Sequence, residues 1–97
     1  MKSFNDLNFK PHKATIPKAK QQRLIAQGMA KDSNLFKPML QAIIDFPNKQ
    51  SVSVLLGPMF YSNGIDTYEI WSSLDDEPIG YLTKDEITEV IQRTENH

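Results

Sequence analysis

The feature that most constrains this chain is a change of apolar period within its second half. From Ser51 to Leu56 the apolar residues alternate, with Val52, Val54 and Leu56 on one side, the pattern of a strand with one buried face. Further on, Ile87, Val90 and Ile91 fall at i, i+3 and i+4, the stripe of a helix. Just before that stripe, Thr83-Lys84-Asp85-Glu86 reads as a capping box. The Thr83 hydroxyl can accept from the Glu86 N–H while the Glu86 carboxylate accepts from the Thr83 N–H. Asp85 and Glu86 also stand at the positive end of the helix dipole, and Arg93 lies in the last turn. A half-buried sheet followed by an amphipathic helix implies that the helix covers one sheet face.

The rest of the chain is read around that unit. Gly57-Pro58 interrupts the first strand as a bulge or bend, and Met59 to Ser62 continues it. Asn63-Gly64 is a type I′ hairpin signal, because both central positions of that turn need positive φ. Ile65 to Ser73 is the returning strand, Leu74 to Pro78 a polar turn, and Ile79 to Leu82 a third, short strand. The stretch from Leu35 to Phe46 carries two patterns. Phe36, Met39, Leu40, Ile43 and Ile44 form a helical stripe, whereas Leu40, Ala42, Ile44 and Phe46 alternate as a strand would. The helical template has more matches and predicts a helix that Pro47 ends.

Lys18 to about Ala30 is a further predicted helix, with Pro17 suited to its first turn and Leu24, Ile25, Gly28 and Met29 on one face. Asp32-Ser33-Asn34 is a break that offers N-caps to the next segment. Residues 1–17 hold Pro11 and Pro17 and no sustained period, and read as an extended basic arm anchored by Phe4, Leu7 and Phe9. At 97 residues the chain has room for one domain. The expected architecture is therefore α+β: N-terminal helices, a three-stranded antiparallel meander and a C-terminal helix packed on one sheet face. Residues 18–97 form the domain and residues 1–17 the arm.

Charge divides the chain. Up to Lys37 it carries Lys2, Lys10, Lys13, Lys18, Lys20, Arg23, Lys31 and Lys37 against Asp6 and Asp32. Beyond Lys37, Lys49, Lys84 and Arg93 face ten acids. Such a split points to a charged partner or to pairing between the halves. Lys10, Lys13, Lys18, Lys20 and Arg23, with Phe9 nearby, could track a phosphate backbone. Scarce arginine and an isoelectric point near 6.1 argue against a nucleic-acid role. Asp75, Asp76, Glu77, Asp85, Glu86 and Glu89 could instead make one negative surface that occupies a basic groove on another protein. If Tyr68 and Ile70 face the last helix, Trp71 faces the other way, covered by the N-terminal helices or exposed as an anchor. Cover is the expectation.

Catalytic chemistry has few footholds. There is no cysteine, so thiolate nucleophiles and thiolate metal sites are excluded. His12 sits in the arm and His97 is the last residue, and neither has the i, i+3 or i+4 partner of a helical metal site. Asp75-Asp76-Glu77 before Pro78 has the composition of an exposed turn and lacks the alternation of a calcium loop. No glycine-rich loop precedes a helix as a phosphate cradle would. No catalytic residue, cofactor or metal is expected. The apolar runs are two or three residues long and the first residues are polar, so a cytoplasmic protein with no membrane association is expected.

Phe46-Pro47-Asn48, Ser51-Val52-Ser53-Val54, Gly57-Pro58, Tyr61, Asp66-Thr67-Tyr68-Glu69 and Pro78-Ile79-Gly80-Tyr81-Leu82-Thr83 together resemble a pattern of small proteins from tailed bacteriophages and prophages. The resemblance spans residues 46 to about 91 and departs at Lys49-Gln50, where similar sequences tend to have a glycine-containing turn. It implies a mobile-element origin and supplies no catalytic residues. The expected function is a non-catalytic protein-binding module that inhibits or redirects a host protein through its acidic surface, possible as a homodimer. The alternative is a nucleic-acid-binding accessory protein using the basic arm.

Overall fold

The computed structural model describes residues 1–13, 15–33, 36–37, 39–57, 60, 62 and 66–97. Five strands form one antiparallel sheet in sequential order: β1 Lys10–Pro11, β2 Leu40–Asp45, β3 Ser51–Leu56, β4 Tyr68–Ser72 and β5 Ile79–Leu82. A 3-10 turn at Phe4–Asp6 precedes them, helix α1 (Lys18–Ala26) lies between β1 and β2, and helix α2 (Lys84–Glu95) comes after β5. This five-stranded sheet replaces the expected architecture of N-terminal helices and a three-stranded meander, because β2 pairs onto the edge of β3 and β1 onto β2.

The largest correction concerns residues 35–46, expected as helix. Leu40–Asp45 is a strand, paired to β3 without a break from Leu40↔Leu56 to Asp45↔Ser51. The alternating pattern prevails because every inward residue finds a partner on β3: Ala42 meets Val54 and Ile44 meets Val52. Ala42 and Phe46 are buried, while Ile43, which the helical stripe would have placed in the core, is 60% exposed. Pairing with a partner strand outweighs a local periodicity that fits both templates. The N-terminal helical layer is likewise reduced to α1, which ends at Ala26 rather than Ala30. Gly28 at φ 106° allows Met29 N–H to reach Leu24 C=O at 3.0 Å and Gly28 N–H to reach Ile25 C=O at 3.0 Å. That pair of bonds closes the helix as a Schellman motif.

The β2–β3 turn runs through Pro47 and Asn48 and is closed by Lys49 N–H on Phe46 C=O at 3.0 Å. Lys49 takes φ 68°, the left-handed region where glycine is favoured. Asn48 fixes this turn to α2: its Oδ1 accepts from Gln50 N–H at 3.0 Å, and its Nδ2 donates to the carbonyls of Thr94 (3.0 Å) and Glu95 (3.2 Å). Orphan carbonyls at the end of α2 are satisfied in this way.

Val52, Val54, Tyr68, Ile70, Phe46, Ile87 and Ile91 form the core between the sheet and α2. The capping box is present, with Thr83 N–H on Glu86 Oε1 at 3.0 Å and Glu86 N–H on Thr83 Oγ1 at 3.4 Å. Fully buried Thr94 donates to Val90 C=O at 2.8 Å, so its 2.6 Å contact with buried Ser72 must have Ser72 as donor. A register shift between β4 and β5 sets Gly80 and Tyr81 opposite Glu69, with Tyr81 at φ 58°. Phe4 and Phe9 pack on Tyr68 at ring distances of 4.9 and 5.9 Å, and Phe4 N–H donates to Thr88 Oγ1 at 3.0 Å.

Two of the sequence expectations fall on other parts of the chain. The Asn63-Gly64 hairpin and the bend at Pro58, with Met59, Tyr61 and Ile65, lie outside the described residues, as do Asn34, Leu35 and Pro38. Phe60 and Ser62 do not prolong β3: Phe60 N–H turns back to Gly57 C=O at 3.1 Å. Gly57 itself is required by close approach, since a Cβ there would stand 3.1 Å from Met39 Cα.

Between β1 and β2 the chain leaves the sheet and returns. The base of this insert is closed by Thr15 Oγ1, which donates to Met39 C=O at 2.7 Å and accepts from Met39 N–H at 3.1 Å, and by His12 N–H on Met39 C=O at 2.7 Å. Met39 is fully buried there. Beyond this neck lies α1, none of whose residues is buried and to which no other described element makes more than a marginal approach. The insert belongs to a molecule with principal extents of 50 × 25 × 20 Å.

Candidate binding face

The two faces of the sheet differ in what covers them. α2 packs on the inner face. On the outer face the register aligns Ile43, Ser53 and Trp71 in one row across β2, β3 and β4. Trp71 is 50% exposed and Ile43 60% exposed, so the N-terminal helices expected to cover Trp71 do not. The reason is topological: one of those helices is β2 and the other is α1, carried in the insert. Between Ile43 and Trp71 lies a shallow cleft of about 310 Å³, also lined by Gln41, Ser51, Ser53 and Ser73.

The indole is held in place. Trp71 Nε1 donates to Asp75 C=O at 3.1 Å, which fixes the ring against the turn that carries Asp75, Asp76 and Glu77. Asp76 and Glu77 are exposed, and Asp45 is exposed at the end of β2 on the same outward row as Ser51. Strands β2, β3 and β4 carry no Lys or Arg. The result is an aromatic and aliphatic centre beside carboxylates. A guanidinium or ammonium can approach the ring face while its aliphatic stem lies along Ile43.

Not all of the expected acidic surface gathers here. Asp75 makes two bonds to Arg93, at 3.1 Å and 2.6 Å, and this ion pair largely cancels its charge toward a partner. Those hydrogen bonds hold the Arg93 guanidinium above its ordinary pKa. Asp85, Glu86 and Glu89 are exposed on α2, which packs on the inner face, and Glu86 is engaged in the capping box. Along α2, Glu86 and Arg93 stand roughly 10 Å apart at 1.5 Å per residue. The six acids therefore split into a group at the Trp71 turn and a group at the start of α2. Ile43 and Asp45 were not expected here, although the period-two reading of residues 40–46 places them on this side.

The basic candidates divide. Lys10 is on β1 opposite Gln41 and lines a second cleft with Gln41 and Ile43, so it borders the outer face. Lys13 lies in the first turn of the insert, closed by Thr15 N–H on His12 C=O at 2.9 Å, and Lys18, Lys20 and Arg23 are on α1; all are exposed. His12 packs edge-on to Phe60 at 5.1 Å, and His97 is exposed at the end of the chain. Among the described residues no three His, Asp or Glu side chains come together as metal ligands. Burial, with the nearby Asp66 charge, pushes the Tyr68 phenol up from its ordinary value, consistent with a structural ring. No described helix is long and apolar enough to cross a membrane. Compared with protein-family models, curated proteins and solved structures, the chain matches none.

Proposed function

We propose that this protein is a non-catalytic binding module whose outer sheet face takes a basic segment of another protein. The resemblance of residues 46 to 91 adds a phage or prophage origin and a host protein in the host cytoplasm as the partner. The exposed, hydrogen-bonded Trp71 beside Ile43 carries this reading. Large aromatic side chains held rigid at the surface lose little entropy on binding and dominate interface energetics. Charge complementarity sets the partner's chemistry: Asp45 pairs with Ser51 of the cleft, exposed Asp76 and Glu77 follow the Asp75 carbonyl that holds Trp71, and strands β2, β3 and β4 hold no Lys or Arg. Asp85, Glu86 and Glu89 would steer a basic partner at long range without touching it.

The test uses the full chain as bait in an extract of the native host, beside Trp71→Ala and the double variant Asp76→Lys/Glu77→Lys. A host protein held by the wild type and released by both variants, with melting temperatures unchanged, supports the reading. Equal retention by all three baits overturns it.

A further inference from the structure

We propose that the insert between β1 and β2 is a nucleic-acid-binding protrusion whose α1 lies against the phosphate backbone. The insert carries Lys13, Lys18, Lys20, Arg23, Lys31 and Lys37 against Asp32 alone, and every one of these cations is exposed. Among the described residues none of these six cations makes a salt bridge, so the insert's charge is not neutralised on the acidic half of its own chain.

The placement of charge on α1 argues the same way. Lys18 and Lys20 lie at the N-terminal end, where the helix dipole disfavours cations, and the first turn has no acid to offset them. They cost helix stability, and an anionic partner at this surface would remove that cost. Gln21, Leu24 and Ile25 are half-buried, whereas Ala19, Gln22, Arg23 and Ala26 turn to solvent with the two lysines. That outward surface has cations, an amide and two small residues that permit close approach, and no large apolar side chain. A protein interface needs an apolar or aromatic anchor of the kind Trp71 provides on the other surface. Backbone binding to nucleic acid needs only the charges. The neck at Thr15 and Met39 ties the helix to the body, so the protrusion is held out rather than trailing.

The experiment is fluorescence anisotropy of the full chain with two labelled probes, a DNA duplex and a single-stranded RNA. Binding to at least one probe is expected, in the micromolar range at low salt. It should weaken on the order of 100-fold between about 50 and 200 mM salt if some four phosphates are neutralised. Replacing Lys18, Lys20 and Arg23 together by Gln, which preserves helix propensity, should lower the salt slope by about 2 to 3 and the low-salt affinity at least about 10-fold. Because α1 buries no residue, this variant should melt with the wild type. Trp71→Ala should bind both probes as the wild type does, which separates this inference from the proposed protein-binding face. Absence of binding to both probes at low salt overturns the proposal, as does binding that the triple Gln variant retains in full. So does a salt-sensitive dimer, seen in sedimentation and lost in that variant, which would assign α1 to a second copy of this chain.

Discussion

Helix α2 is 12 residues long and buries Ile87, Ile91 and Thr94, whereas α1, with 9 residues, buries none. α2 opens on a capping box and closes on carbonyls held by Asn48; α1 opens on Pro17, which offers no side-chain cap, and closes on Gly28. Helix α2 is held by what it packs against. Helix α1 is held by its own backbone bonds, by Gln21 Nε2 on Ile16 C=O at 2.7 Å and by the neck of the insert, and its lysines and arginine face solvent. One helix builds the core and the other presents charge, which is why they answer differently to substitution.

The largest difference should come from the buried stripe. Ile91→Ala removes a fully buried side chain and should cost about 2–5 kcal/mol in urea unfolding. Leu24→Ala, at a half-buried position of α1, should cost less than about 1.5 kcal/mol. Comparable losses would show that α1 packs on the body and would erase the contrast.

A smaller gap is expected at the helix starts. Thr83→Ala deletes the cap of α2 and should cost about 1 kcal/mol in a thermal melt. Pro17→Ala removes no cap hydrogen bond from α1 and should stay within about 0.5 kcal/mol.

The smallest effect is on pH dependence and sharpens the comparison from the side of the body. The Tyr68 phenol is raised by burial and by Asp66, so the folded state keeps its proton where the unfolded chain loses it. Its contribution is complete below about pH 10 and is lost as pH climbs through the folded value. Unfolding free energy should therefore fall more steeply above about pH 10 in the wild type than in Tyr68→Phe. Identical slopes would mean that the ring is not shielded by Phe4 and Phe9.

Much of the body could be read locally. The alternation of Val52, Val54 and Leu56, the short strand at Ile79–Leu82, and the cap and stripe of α2 each depend on residues within a few positions of one another. Trp71 facing away from the last helix was legible in its alternation with Ile70. Residues 35–46 were illegible because their apolar residues satisfy two periods at once, and a strand partner ten or so positions away made the choice. β1 has only 2 residues and no pattern to read.

The sequence by itself determined the division of charge, the absence of thiol chemistry and the elements whose hydrogen bonds close within one turn or one strand. Tertiary structure alone decided three further things. It turned residues 40–45 into a strand, because paired backbone and buried Ala42 and Phe46 outweigh a helical stripe. It withdrew Asp75 from the acidic surface, because Arg93 lies 18 positions away in sequence but 2.6 Å away in space. And it left Trp71 and α1 uncovered on separate parts of the molecule, because the insert carries away the helix that would have lain over the sheet.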